Sequence, residues 1–396
     1  MIFNTSWFLV FYPVAFLVLA CVPGPRLRLG TLLALSAVFH FHFAGPAGVA
    51  PIIVMAIATY AGGLLVGRAE GPARRRLFVG FLLVPVAGLL FYKYQAFALA
   101  SLGSLLGGSV GERLGATTPP ALPLAISFFT FEFVHYLTDV HKGSPPVRDP
   151  VRFALFSIHF PSIVSGPIKR FQPFLAQLEG GLRRPRPEAL VSGAGQAALG
   201  FAKKLVVADA AAEAISLVQA APASRTSVVL LMVLLSVRIL FDFSGYSDIA
   251  IGLSRMVGLE LPQNFRTPYA ATSITEFWQR WHMSLSSWIR DYLYIPLGGS
   301  RKGNLRRVLN LAVTMFLCGL WHGPAWHFGV WGLYQGAGLG VHALWRSTRA
   351  AERFSRLPFA NVLSLMLTLC FVAWGWLLFF YPLADVARFS RALLSP

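Results

Sequence analysis

Apolar residues run along this chain in blocks close to the length of a bilayer crossing, with polar residues gathered in the short connectors between them. Ten such blocks fall at 7–22, 29–44, 49–67, 77–100, 122–140, 192–219, 226–253, 305–321, 325–345 and 358–381. A helix needs roughly 20 apolar residues to cross the hydrocarbon core, and backbone exposed to lipid must satisfy its own hydrogen bonds. The pattern predicts an all-α integral membrane protein with about ten or eleven transmembrane helices. Two further apolar stretches, 152–168 and 284–297, are interrupted by Pro, Gly and charge, and are expected to be re-entrant or broken helices.

Composition agrees with a bilayer as solvent. Of 396 residues, 56% are hydrophobic and 13% charged, about half the ~25% charge of a soluble domain. Too little polar surface remains for a separate soluble domain. The net charge is +18, and the basic residues cluster in connectors: Arg68 with Arg74–Arg76, Arg183 with Arg184 and Arg186, Arg301 with Lys302, Arg306 and Arg307, and Arg346 with Arg349, Arg353 and Arg356. Short Lys/Arg-rich loops favour the cytoplasmic side and attract anionic lipid. Nothing resembles a nucleic-acid reading head, so no nucleic-acid partner is expected. Cys21, Cys318 and Cys370 lie in or beside apolar blocks without a pairing pattern and read as small buried hydrophobes. Val18-Leu19-Ala20-Cys21 loosely matches a lipoprotein processing site, but no basic segment precedes it, and a first transmembrane helix is expected instead. No internal repeat of the kind found in inverted-repeat transporters is evident.

Ionisable residues at membrane depth are functional candidates by default, and they concentrate between about 120 and 345. Asp242 and Asp248, in Phe-Asp-Phe-Ser-Gly-Tyr-Ser-Asp, are expected to shape the site by pairing with an arginine or accepting backbone hydrogen bonds. In Glu276-Phe-Trp-Gln-Arg-Trp-His282, helical spacing places Trp278, Trp281 and His282 near one face, with Trp288 two turns on. The helix is expected to run until Tyr294-Ile-Pro-Leu-Gly-Gly breaks it, ahead of a basic exit. In Gly319-Leu-Trp321-His322-Gly323-Pro324, an apolar run ends in a histidine followed at once by a Gly-Pro break. A neutral imidazole there can accept a proton at physiological pH, as a general base must. It can equally serve as an interhelical hydrogen-bonding group. Metal binding is not expected: His322 and His327 are five apart across a proline, and His40 with His42 lacks further ligands.

Five motifs occur in order: Pro123-Leu-Ala-Ile-Ser-Phe-Phe-Thr-Phe, Ser165-Gly-Pro-Ile-Lys-Arg-Phe, Phe241-Asp-Phe-Ser-Gly-Tyr-Ser-Asp-Ile-Ala-Ile-Gly, Glu276-Phe-Trp-Gln-Arg-Trp-His-Met-Ser-Leu-Ser and Leu320-Trp-His-Gly. Together they resemble the membrane-bound O-acyltransferase (MBOAT) family, in particular its bacterial branch of alginate O-acetyltransferases and teichoic-acid D-alanyl transfer proteins. The resemblance implies one membrane domain over 1–396 with a catalytic core at about 120–345. It further implies that His322 is the catalytic histidine, His282 a second functional histidine, and the core a thin funnel where a cytoplasmic donor meets an acceptor from the other side. Relatives often carry Gln or Arg at the position of Glu132 and His at that of Gln335.

The expected reaction moves an acyl group, acetyl first among the choices, from a thioester to a hydroxyl of an envelope polysaccharide or partner protein. His322 would take the hydroxyl proton; a covalent histidine intermediate stays open. Donor contacts are expected from Trp278, Arg280, Trp281, Ser284, Arg290, Asp291, Tyr294, Arg301 and Lys302, with Trp321 and Gly323 shaping the site. No bound cofactor is expected; acetyl-CoA or an acyl-carrier protein is the substrate, and Arg306 and Arg307 join Arg301 and Lys302 as candidates for the donor's phosphates or an acidic carrier. Further expected partners are membrane lipid and a periplasmic or extracellular transfer protein, and the expected location is the cell inner membrane. D-alanyl transfer from a carrier protein and a non-enzymatic transporter or flippase are the alternatives.

Overall fold

The computed structural model describes residues 2–115, 120–220 and 223–394, and among these the regular structure is helical with no strand. The chain divides into two compact units, Met1–Ala198 with Asp248–Pro262, and Leu199–Ser247 with Gln263–Pro396. The first contains α1 (Ser6–Cys21), α2 (Pro25–Arg68), α3 (Gly71–Leu89), α4 (Gln95–Leu106), α5 (Gly108–Gly115), α6 (Ile126–His141), α7 (Pro150–Ile158) and α8 (Phe171–Ala176). Next come α9 (Pro187–Ala202), whose last turn enters the second unit, α10 (Asp209–Ala220), and α11 (Arg225–Met256), whose last part returns to the first. The second unit continues with α12 (Ile274–Arg280), α13 (Met283–Ile289), α14 (Gly303–His322), α15 (Trp326–Trp345), α16 (Arg349–Ser355), α17 (Ala360–Phe380) and α18 (Leu383–Leu394).

Every one of the ten apolar blocks is helical. Blocks 29–44 and 49–67 are the two arms of α2, whose 44 residues make about 66 Å of helix. That is about twice a hydrocarbon core of ~30 Å. The arms meet at Gly45 (φ 64°, ψ 173°), a left-handed backbone that glycine reaches without steric cost, and Pro46 restarts the helix. Four helical segments are long and apolar enough to cross a membrane by length and composition alone: Pro25–Arg68, Gly71–Leu106, Arg225–Met256 and Ala360–Phe380. They take in five of the ten apolar blocks, α2 supplying two. Of the other five blocks, α1 and α6 stop at 16 residues, block 192–219 is divided between α9 and α10 of 16 and 12 residues, and α14 and α15 are diluted by arginine, asparagine, histidine, tryptophan and glycine. Stretch 152–168 is broken as expected: α7 ends at Ile158 and turns follow.

In the first unit the core is aromatic, with Phe129, Phe133, Tyr136, Phe156 and Phe160 fully buried. Within it lies Lys169, 2% exposed, whose Nζ is 2.5 Å from Oε1 of Glu132. The rings of Phe156 and Phe174 stand 5.1 and 5.7 Å from the same ammonium. A carboxylate at position 132 is therefore matched by the lysine of Ser165-Gly-Pro-Ile-Lys. Beside the pair, the Phe171 amide donates to His135 Nε2 at 3.3 Å, leaving Nδ1 as the donor to the Phe131 carbonyl at 3.2 Å.

In the second unit α14 and α15 form a hairpin whose backbones approach closely because glycines face one another. A Cβ on Gly319 would stand 2.1 Å from the Phe328 carbonyl oxygen and 3.0 Å from Gly332, and one on Gly332 would stand 2.2 Å from the Met315 carbonyl oxygen. Small residues at helix contacts let van der Waals packing act where lipid removes the hydrophobic drive between helices. Gly319→Val forces the hairpin apart, and overpacking of this kind costs about 1–3 kcal/mol or more. The expected result is a lower unfolding midpoint in detergent and less folded protein, measured by thermal melts and size-exclusion chromatography.

Candidate active site

The hairpin carries His322 to the C-terminal end of α14, where Gly323 is extended and the helix stops. Gly323 has no side chain for a reason of space: a Cβ there would sit 2.3 Å from the Phe328 ring. His322 is half-buried, with its ring edge-on to Phe379 at 4.9 Å and to Trp331 at 5.3 Å. Trp321 neighbours two imidazoles, its ring 4.8 Å from that of His322 and 6.3 Å from that of His282.

The helix expected from Glu276 to Tyr294 is broken earlier than its spacing suggests. α12 ends at Arg280, Trp281 is extended, and His282 is left-handed at φ 42° and ψ 55° before α13 begins. A non-glycine residue in that region costs on the order of 1–3 kcal/mol and persists only when its surroundings hold it there. Asn264 supplies the hold. Its carbonyl accepts from the Met283 amide at 2.9 Å, and its side-chain Oδ1 accepts from Ser284 Oγ at 2.6 Å and from the Ser284 amide at 3.3 Å. Its Nδ2 donates to Ser247 Oγ at 3.1 Å. These bonds replace the helical ones that α12 would have continued, and they turn His282 inward. The imidazole is 1% exposed, edge-on to Phe243 at 4.5 Å, and its Nε2 is buried with no hydrogen-bond partner. A buried polar atom normally has a protein or water partner, so this ring nitrogen has hydrogen-bonding capacity to offer within the site.

The remaining expected site residues separate into three kinds. Trp278 and Trp281 are buried walls: Trp278 Nε1 donates to Gln335 Oε1 at 3.2 Å, and Trp281 packs on Phe265, Phe277 and Trp376. Gln335, itself buried, thus anchors an indole. Trp376 Nε1 in turn donates to Tyr269 Oη at 3.1 Å, which donates to the Ser236 carbonyl at 2.8 Å. Arg280 is committed locally, 2.5 Å from Glu276 and 3.4 Å from Thr267 Oγ1. Glu276 also accepts from the Thr272 amide and hydroxyl, and these bonds, with the Arg280 guanidinium, hold its carboxyl below the usual carboxylate range. Arg290 pairs with its neighbour Asp291 at 2.9 Å, Tyr294 Oη meets Ser300 Oγ at 3.0 Å, and Arg301 and Lys302 are exposed ahead of α14.

Asp242 and Asp248 play separate parts. Asp242 pairs with Lys204 at 2.8 Å, so its cation is a lysine; the same ammonium lies 2.7 Å from Asp209. Asp248 belongs to the first unit, where it accepts from Gln196 at 3.0 Å; Gln196 accepts from Arg255, which is paired with Glu260. Among the described residues no group of three His, Cys, Asp or Glu side chains could hold a metal ion. His327 is hydrogen-bonded to the Leu378 carbonyl at 3.0 Å, and His42 stacks on Trp7 at 3.9 Å.

Sequence reasoning missed Asn264, Tyr269 and Trp376 as parts of this site. None carries a local signal; each matters through what distant residues bring to it.

Residues 147–381 match the family model for the membrane-bound O-acyltransferases. A protein named probable alginate O-acetylase, from Pseudomonas syringae pv. tomato, is 36% identical over 385 residues, covering 96% of this chain and 72% of the relative. The peptidoglycan O-acetyltransferase of Helicobacter pylori is 31% identical over 420 residues, covering 96% and 77%. The teichoic acid D-alanyltransferase of Bacillus subtilis is 27% identical over 333 residues, covering 76% and 83%. With its all-helical, apolar architecture, the chain belongs to the membrane-bound O-acyltransferase family and is a multi-pass membrane acyltransferase.

Proposed function

We propose that this acyltransferase moves acetyl from a cytoplasmic thioester to a hydroxyl of an envelope polysaccharide or of a partner protein that completes the transfer. The observation that supports it is the pair of imidazoles that share Trp321 as a neighbour. One sits at a helix end beside a Gly-Pro break; the other is buried in a strained backbone with a ring nitrogen lacking a partner. The acetyl choice draws on relatives at 31–36% identity that are named for O-acetyl transfer.

In this reading His322 accepts the hydroxyl proton as the oxygen attacks the thioester carbonyl. The tetrahedral intermediate collapses with cleavage of the carbon–sulfur bond. The imidazolium returns the proton to sulfur, so the products are an ester and a free thiol. His282 Nε2, bearing a proton, donates to the developing oxyanion, a role best filled by a donor fixed before reaction. The aromatic walls of Trp278, Trp281, Trp331 and Phe379 exclude water and hold the two substrates in line. The protein would work in the cell inner membrane, with no bound cofactor, taking acetyl-CoA or an acyl-carrier protein as donor.

Arg301 and Lys302, exposed and in no ion pair among the described residues, are proposed to receive the donor's phosphates or an acidic carrier. Replacing both with Gln is expected to raise the donor KM several-fold at low salt and to flatten its salt dependence, because exposed charges act within a screening length of ~10 Å at 0.1 M. The turnover rate should hold, which initial-rate kinetics across a salt series would read.

Reconstituted vesicles supplied with labelled acetyl-CoA, or separately with a D-alanyl-loaded carrier protein, test the choice of acyl group. Acetyl ester from the first donor supports the proposal. Ester from the second alone replaces acetyl with D-alanyl, and substrate movement across the membrane without ester from either points to a transporter.

A further inference from the structure

The first unit holds a buried guanidinium that forms no ion pair among the described residues. Arg28, in the first turn of α2, is 3% exposed. Its Nη1 donates to the Leu19 carbonyl near the end of α1, while its Nε is buried with no hydrogen-bond partner. Arg184, from the loop between α8 and α9, reaches the same helix end and donates from Nη2 to the Ala20 carbonyl at 3.1 Å. The loop is held there by the Leu182 amide, which donates to the Pro25 carbonyl at 2.9 Å. Both guanidinium-bearing residues line one pocket of about 140 Å³. Among the described residues no carboxylate forms an ion pair with either.

Each guanidinium carries five donors; buried Arg28 has a single carbonyl against its own, while Arg184 is exposed and brings a second cation to the same pocket. Burying an unpaired charge is costly, and buried charges are normally matched by an opposite one. Two like charges sharing a pocket add repulsion. An anion relieves both, and a planar fork of donors matches phosphate as it does carboxylate. The rest of the lining is apolar, including Phe16, Leu190 and Met256, and the pocket lies at the turn between apolar α1 and the membrane-length helix α2.

We propose that Arg28 and Arg184 form a phosphate-binding site at the α1–α2 turn, occupied by the headgroup phosphate of an anionic phospholipid whose chain lies along the apolar lining. Free inorganic phosphate offers the same group without using that lining, so the two sources are separable.

The test is the thermal unfolding midpoint of the purified chain in detergent, with added phosphatidylglycerol, phosphatidylcholine of the same chains, or inorganic phosphate. Arg184→Gln is the informative variant, since Arg184 is exposed and its loss spares the core; Arg28→Gln accompanies it where it folds. Arg183→Gln, an exposed neighbour outside the pocket, controls for loss of surface charge. Phosphatidylglycerol should raise the native midpoint by several degrees beyond phosphatidylcholine, with the gain at least halved in Arg184→Gln and intact in Arg183→Gln. A full gain from inorganic phosphate alone, also lost in Arg184→Gln, keeps the site and assigns it a soluble ligand. Equal gains in the native chain and Arg184→Gln, or none with any phosphate, overturn the proposal.

Discussion

Lys169→Met is expected to destabilise the chain by about 3–5 kcal/mol, the usual cost of removing one partner from a buried ion pair. The ammonium of Lys169 and the carboxylate of Glu132 meet at 2.5 Å in a core where both are almost fully buried. Methionine keeps most of the volume and the contact with the Phe156 and Phe174 rings. What it removes is the charge, leaving Glu132 without its cation among aromatic side chains. The double variant Lys169→Met with Glu132→Leu should recover most of the loss, because a buried pair replaced by apolar residues of similar size is often neutral or better. A double-mutant cycle on unfolding in detergent measures the coupling. If the double variant is as unstable as the two single losses summed, the pair is not the source of the effect.

The second large effect falls on chemistry. His322→Ala is expected to lower the acyl-transfer rate by about 10²–10⁴-fold, the range in which a positioned general base contributes. Fold should survive, because the ring is half-buried and its contacts with Trp331 and Phe379 are edge contacts of aromatic walls that pack without it. The loss should appear in turnover with little change in donor KM, the pattern of an interaction made only in the transition state. His282→Ala is a different perturbation. It removes a left-handed histidine held by Asn264, so its activity has to be read beside its stability.

The helices were legible from sequence because their signal is local. Each apolar block became helix, including the two that α2 joins through Gly45-Pro46. His322 was legible for the same reason, since an apolar run, a histidine and a Gly-Pro break are contiguous. The break at Trp281–His282 was hidden. Helical spacing continues through it, and the residue that interrupts it, Asn264, lies 20 positions before Ser284. Glu132 could be seen as unusual, but its partner stands 37 residues away. Arg280 was expected to face the donor, whereas Glu276, one turn before it, takes the guanidinium. Helices that carry the site, α14 and α15, are diluted with polar and small residues, so their membrane signal is weaker than that of α2, α11 or α17.

In the proposed reaction this chain forms an ester with the help of His322. The most direct measurement supplies labelled acetyl-CoA to vesicles holding the native chain or His322→Ala, matched for folded protein, and counts hydroxyl-linked label. Labelled ester from the native chain, reduced at least a hundredfold in the variant, is the predicted result, taking the lower end of the ~10²–10⁴ range. Ester formed by His322→Ala within a few-fold of the native rate would contradict it.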